Sequence, residues 1–97
     1  MNKIEQKLLG AIQASGCHQV FAHNAFDRIA HGGLASGRHL VDSISNIRIK
    51  VHPYGCITRL TANVGIVLPD QDKRGEGKLT YKFSLATRKY KVEVKGK

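Results

Sequence analysis

Apolar side chains near the start of the chain recur every three or four positions, the spacing of one helix face. They are Ile4, Leu8, Leu9 and Ile12. Asn2, with Glu5 three residues later, is typical of a helix start. Ser15-Gly16 favours a helix end, because glycine adopts the left-handed cap conformation at little cost. This pattern predicts a first helix over about residues 3–14.

Two further helices are predicted in the next thirty residues. The second begins near His23 or Asn24, turns Phe26, Ile29 and Ala30 inward, and ends at Gly32-Gly33. After the connector 33–35, Ser36 is a suitable N-cap for a third helix that carries Leu40, Val41 and Ile44.

The segment after Leu40 supports two interpretations. Leu40, Ile44, Ile47 and Val51 fit one face of a long helix, whereas Ile47, Ile49 and Val51 alternate with polar residues as in a half-buried strand. We place the helix end at about Ser45 and begin the strand at Asn46. The reason is the turn signal His52-Pro53-Tyr54-Gly55, which would join strand 46–52 to strand 56–63 as a hairpin.

The remaining sequence predicts more strands. Strand 56–63 can extend through 64–68, with Gly65 as a bend or bulge, before Pro69 ends it. A charged loop over 70–77 follows, and then two segments of alternating apolar and polar residues, 79–85 and 90–95. Their phase turns the rings of Tyr81 and Tyr90 toward the core. Lysines on the last strand also suit an exposed sheet edge.

The predicted fold class is therefore α+β, with N-terminal helices followed by an antiparallel β-meander. At 97 residues the chain is expected to form one domain, with a helical half over 1–45 and a β half over 46–97. This size excludes a multi-domain enzyme.

The net positive charge of the chain limits the kinds of partner that we expect. The chain has 16 Lys and Arg against 7 Asp and Glu, a formal charge of +9, which favours an anionic partner such as nucleic acid or an acidic protein. No apolar run approaches the roughly 20 residues that cross a bilayer, and a signal-peptide pattern is absent. We expect a cytoplasmic protein that does not bind membranes.

Motifs for catalysis are weak in this sequence. Cys17 and Cys56 are far apart and are expected to be reduced thiols, and the five histidines lack metal-ligand spacing. The glycines match neither a phosphate-binding loop nor a dinucleotide fingerprint. Only His52, near Tyr54 and Arg59, could serve a small basic ribonuclease. We expect no enzyme activity, cofactor or metal.

Three helices followed by a hairpin is the element order of a winged helix-turn-helix. The segment Arg38-His39-Leu40, with Ile44, Ile47, Arg48 and Lys50, resembles the recognition-helix pattern of response-regulator-type (OmpR-like) winged helices. Segments 57–59 and 65–68 resemble their closing hairpin. The resemblance covers residues 3–68 and implies a stand-alone DNA-binding domain, a transcriptional regulator without a receiver domain.

Two groups of residues are candidates for contacting nucleic acid. If the third helix reads duplex DNA, five side chains on its polar face are available to contact base edges and phosphates. They are Arg38, His39, Asp42, Ser43 and Asn46. Basic residues nearby and in the second half are candidates for phosphates. They are Arg48, Lys50, Lys73, Arg74, Arg88, Lys89 and Lys91.

Other partners stay open at this stage. An acidic host protein fits the charge equally well, as in a phage or mobile-element accessory protein that docks on a host nucleic-acid-processing complex. A winged helix is complete by about residue 68, so the strands over 78–95 are additional to it. They predict either dimerisation through an added sheet or a different α+β fold.

Overall fold

Two helices precede a four-stranded antiparallel sheet in the computed structural model, which describes residues 2–34, 40–68 and 73–96. The sheet order is β1-β2-β3-β4, so each strand pairs with its sequence neighbour. The α+β class with a β-meander is thereby confirmed. The elements are α1 (Lys3–Ala14), α2 (Gln19–Ile29) with a following π-helical turn (Ala30–Leu34), β1 (Leu40–Val51), β2 (Ile57–Leu68), β3 (Lys73–Phe83) and β4 (Tyr90–Gly96).

Helix α1 forms as its local signals predict. The Asn2 side chain accepts a hydrogen bond from the backbone N–H of Glu5 at 2.8 Å, which satisfies one free donor of the first turn. Ser15 caps the other end, and Gly16 follows with a φ of 82°. Leu8 and Ile12 are fully buried.

Helix α2 begins at Gln19, four residues before the predicted start at His23. Its N-cap is His18, whose ring nitrogen Nδ1 accepts the backbone N–H of Val20 at 3.3 Å. Histidine is not among the preferred N-cap residues, so the sequence gives no start signal there. The predicted end at Gly32-Gly33 lies within the π-helical turn, where Gly33 is buried against Leu79 and Val92.

The prediction of a third helix is wrong for residues 40–45, which belong to strand β1 and pair with β2. Its predicted start at Ser36 lies outside the described residues. Three irregularities interrupt the pairing of β1 with β2. The first contains Asp42, between the pairs Val41↔Ile66 and Ser43↔Gly65, and the second lies between Ser45 and Arg48. The third lies between Lys50 and Val51, where Thr58 is the extra residue on β2.

The second bulge contains Asn46, whose φ is 54°. A bulge inserts an extra residue and so shifts the alternation of side chains between the two faces. For this reason Ile44 and Ile47, an odd number of residues apart, both pack against the core. The junction expected at Asn46 is therefore a bulge within β1, and the β half begins by Leu40 rather than at residue 46.

The hairpin predicted at residues 52–55 is confirmed, and β2 continues past Gly65 to Leu68. Residues 73–77 differ from the prediction of a loop, because they form the start of β3 and pair with 64–68. The side chain of Ile66 occupies the space that a Cβ on Gly77 would need. Pairing with an apolar neighbouring strand thus overrides the local loop signal of this glycine-rich segment.

The hydrophobic core lies between the helices and one face of the sheet. Leu60, Leu79 and Tyr81 are almost completely buried there, as predicted for Tyr81. Tyr90 was expected to point into the core as well, but it is 51% exposed. It lies at the end of the sheet, where the Arg28 guanidinium carbon is 4.4 Å from the centre of its ring. Both cysteines are free thiols.

Candidate nucleic-acid interface

The sheet face turned away from the helices, here called the outer face, is predominantly polar and basic. Register partners in an antiparallel pair lie on the same face, and adjacent residues of one strand lie on opposite faces. Leu60 and Tyr81 are partners in the core, so their neighbours Arg59 and Lys82 lie on the outer face. The same alternation places Lys91 beside Lys82.

Four basic residues form a row across all four strands of the outer face. The register joins Lys50 to Arg59, Arg59 to Lys82, and Lys82 to Lys91. All four are exposed. Because neighbouring strands are about 4.8 Å apart, the row is about 14 Å long. Like charges directly opposite one another destabilise a sheet, so this basic row favours an anion lying across the strands.

Neutralisation of the basic row by the protein is incomplete. The Lys91 ammonium lies 2.5 Å from a Glu93 oxygen, and Lys95 lies 3.5 Å from the other oxygen. The hydrogen bond from Lys91 lowers the pKa of Glu93 and raises the pKa of Lys91. Within the described ranges, no ion pair joins Lys50, Arg59 or Lys82 to an acidic group. Three of the four cations are therefore available to a ligand.

An open cleft of about 510 Å³ lies along the basic row. Besides the four row residues it is lined by Thr58, Phe83, Ser84, Lys89 and Tyr90. Lys89 is held in the β3–β4 turn, where the Ser84 backbone N–H donates to the Lys89 carbonyl at 2.9 Å. Five cations therefore converge on a cleft whose volume is in the range of ligand-binding pockets, about 300–1,000 Å³.

The outer face becomes less basic along the strands away from the row. The next row across the sheet contains Arg48, Thr61, Thr80 and Glu93, and the one after it contains Ser45, Asn63, Lys78 and Lys95. Neither these two rows nor the basic row contains an aromatic side chain, so these rows offer no platform for stacking bases. Their chemistry suits phosphates rather than bases.

An ion pair lies at the opposite end of the outer face. The Arg74 Nε donates to a carboxylate oxygen of Asp42 at 2.6 Å, which lowers the pKa of Asp42 and raises that of Arg74. The pair connects β1 to β3 across β2. It passes over Gly65, where a Cβ would meet Asp42, Ser43 and Arg74. These residues are engaged with one another and are not directed at the basic row.

The structure brings together some of the predicted contact residues and separates others. Lys50, Lys89 and Lys91 line the cleft, and Arg48 lies in the adjacent row. The other described candidates lie elsewhere, in or beside the bulges of β1, at the start of β3 or in the β3–β4 turn. They are Asp42, Ser43, Asn46, Lys73, Arg74 and Arg88. Arg38 and His39 lie outside the described residues.

The candidates selected from the sequence did not include Arg59 and Lys82, which complete the basic row. The signal was present, since Lys82 alternates with the core residues of β3 and must lie on the opposite face. What the sequence lacked was the register that aligns the two residues with Lys50 and Lys91.

Two other kinds of site are absent from the part of the chain that the structure describes. No group of three His, Cys, Asp or Glu side chains there could hold a metal ion, and no helix there is long and apolar enough to span a membrane. The His52 ring stacks on Tyr54 at a centroid distance of 5.0 Å. No protein-family model, curated protein or solved structure matches the chain.

Proposed function

We propose that this protein is a non-enzymatic nucleic-acid-binding protein that holds the phosphate backbone of duplex DNA on the outer face of its sheet. The observation that carries the proposal is the basic row of Lys50, Arg59, Lys82 and Lys91. Aligned exposed cations that lack internal counter-charges gain most from a polyanion, which releases condensed counterions on binding. A duplex supplies regularly spaced phosphates to such a row.

Binding through this surface is expected to depend little on base sequence. The basic row and its two neighbouring rows suit backbone contacts, which position a protein on DNA without reading bases. The narrower role of a winged-helix transcriptional regulator needs side chains that reach base edges. The candidates for that role are Arg38, His39, Asp42, Ser43 and Asn46. The last three lie in or beside the bulges of β1, away from the basic row. Enrichment of particular sequences by the protein would support that narrower role.

The test compares binding of a mixed duplex DNA pool at about 50 and about 200 mM salt, with single-stranded DNA and RNA as competitors. The key variant is Arg59→Gln/Lys82→Gln. It should weaken binding to all sequences alike and lower the slope of log affinity against log salt by about two, since each phosphate contact contributes about 0.9.

The matched control is Lys3→Gln/Lys7→Gln, which removes the same charge from helix α1. It should leave most of the affinity and the salt slope in place, because those lysines lie outside the basic row. Equal losses in the two double variants would mean that net charge alone, and not the basic row, attracts DNA. Failure of the wild-type protein to bind DNA at about 50 mM salt would contradict the proposal and favour an acidic protein as the partner of the basic row.

A further inference from the structure

Tyr54 is the most exposed large side chain of the hydrophobic class in the described residues, with 80% of its surface accessible. It lies in the turn between β1 and β2, the hairpin that also carries Lys50 and Arg59 of the basic row. A single exposed apolar residue needs no explanation by itself. Tyr54 differs because its ring stacks on His52 and its backbone is hydrogen-bonded within the turn.

The Tyr54 ring packs against another residue of the same turn, His52. The ring stacks on His52 with an interplanar angle of 30° and a centroid distance of 5.0 Å. The Tyr54 backbone N–H donates to His52 Nδ1 at 3.2 Å, and the Gly55 N–H donates to the His52 carbonyl at 2.7 Å. His52 therefore contacts one side of the tyrosine ring, while most of the Tyr54 surface stays accessible.

The same turn is also hydrogen-bonded to the start of helix α2. The His18 backbone N–H donates to the Gly55 carbonyl at 2.7 Å. Gly55 has a φ of 91°, and a Cβ at this position would lie 3.1 Å from the His18 Cβ. The close approach and the left-handed backbone both require glycine. Because the turn is already ordered, a flat ligand that stacks on Tyr54 would lose little conformational entropy from the protein.

We infer that Tyr54 is a stacking platform for an unpaired nucleobase, which would make a nucleic acid with a single-stranded overhang the preferred ligand. This inference rests on the proposed function, because the basic row of the same hairpin would hold the adjoining phosphates. An open aromatic face stacks on any base, so the preference is for the structure of the DNA end and not for its sequence. The three rows of the outer face lack an aromatic group. Phe83 and Tyr90 line the cleft, but the Arg28 guanidinium carbon lies 5.3 Å and 4.4 Å from their ring centres. Tyr54 has no such cation over its ring among the described residues and is more exposed than Tyr90.

The experiment compares two labelled duplexes of equal length, one with blunt ends and one with a three-nucleotide overhang, by fluorescence anisotropy at about 50 mM salt. The wild-type protein should bind the overhang duplex about tenfold more tightly, the order of one base–aromatic stack. Tyr54→Leu should bind both duplexes with the affinity of the wild-type protein for the blunt one. Tyr54→Phe, which keeps the ring, should preserve the preference.

The outcomes separate this inference from the proposed function. Equal binding of both duplexes by the wild-type protein, with loss of binding in Arg59→Gln/Lys82→Gln, would overturn the stacking role alone. Absence of binding to either duplex would overturn the proposed function. A preference that survives in Tyr54→Leu, or disappears in Tyr54→Phe, would also overturn the role of the ring. Thermal unfolding of Tyr54→Leu and Tyr54→Phe checks that both variants fold. We expect that they do, because Tyr54 is exposed and contributes little to the core.

Discussion

Two glycines illustrate how the surroundings of one residue decide the effect of a single methyl group. Gly10 lies within α1, and a Cβ there would meet nothing within 4 Å. Gly33 lies in the π-helical turn, and a Cβ there would lie 2.8 Å from the Leu79 Cδ1 and 3.0 Å from the Val92 Cγ1. The first position has room for a side chain, whereas the second is where the helical segment packs directly on β3 and β4.

Alanine substitutions at these two positions should therefore have opposite effects. Gly10→Ala should raise the free energy of unfolding by about 0.5–1 kcal/mol, because alanine loses less backbone entropy in a helix. Gly33→Ala should lower it by about 1–3 kcal/mol, the usual cost of overpacking a core. Urea unfolding monitored by circular dichroism measures both, and a stabilised Gly33→Ala would contradict the close packing described here.

Strand β1 shows at the scale of one element how a bulge can imitate another secondary structure. The spacing of Leu40, Ile44, Ile47 and Val51 is helical, yet these residues lie on a strand. Asn46, with φ 54°, shifts the alternation by one residue, so that apolar side chains on both sides of the bulge pack toward the core. Short-range periodicity does not distinguish a helix from a bulged strand, because a bulge changes the period of two that identifies strands.

Substitutions at Asn46 test this account of β1. A β-branched residue is strongly disfavoured at positive φ, whereas glycine adopts it freely. Asn46→Val should lower the free energy of unfolding by about 1–2 kcal/mol, the cost of a left-handed conformation. Asn46→Gly should stay within about 0.5 kcal/mol of the wild-type protein. Equal denaturation midpoints for the two variants would indicate that residue 46 does not hold a left-handed backbone.

The basic row has a consequence for the stability of the whole molecule. Lys82 has a basic register partner on each side, Arg59 on β2 and Lys91 on β4. The row is expected to destabilise the unbound protein, because opposed like charges in a sheet repel one another. Stability and the proposed binding therefore place opposite demands on Lys82.

Removing one charge from the row should make the unbound protein more stable. Lys82→Gln should raise the free energy of unfolding by about 0.5 kcal/mol at low ionic strength. In about 1 M salt the gain should disappear, because the Debye length falls to about 3 Å. Thermal unfolding at both salt concentrations measures this, with Arg48→Gln as the control, because the register partner of Arg48 is the neutral Thr61. A gain of equal size in the control, or one that persists in high salt, would show that the row is not strained by repulsion.

Features that depend only on neighbouring residues along the chain follow from the amino-acid sequence. Helix α1, with its Asn2 cap and Gly16 stop, and the turn at residues 52–55 follow from local hydrogen bonds and backbone preferences. The alternation in β3 and β4 predicted the core positions of Leu79, Tyr81, Val92 and Val94, although Tyr90 at the end of β4 is half exposed. The excess of positive charge is the basis for proposing an anionic partner.

The tertiary structure alone decided what depends on pairing between distant segments. Residues 40–45 are a strand because they pair with β2, although their spacing resembles a helix. Residues 73–77 are a strand for the same reason, despite a local loop signal. The candidate site also depends on register, since a shift of one residue in any strand would turn its basic side chain to the other face. Pairing energy between strands acts over separations that no local pattern records, so it assembled Lys50, Arg59, Lys82 and Lys91 into one row.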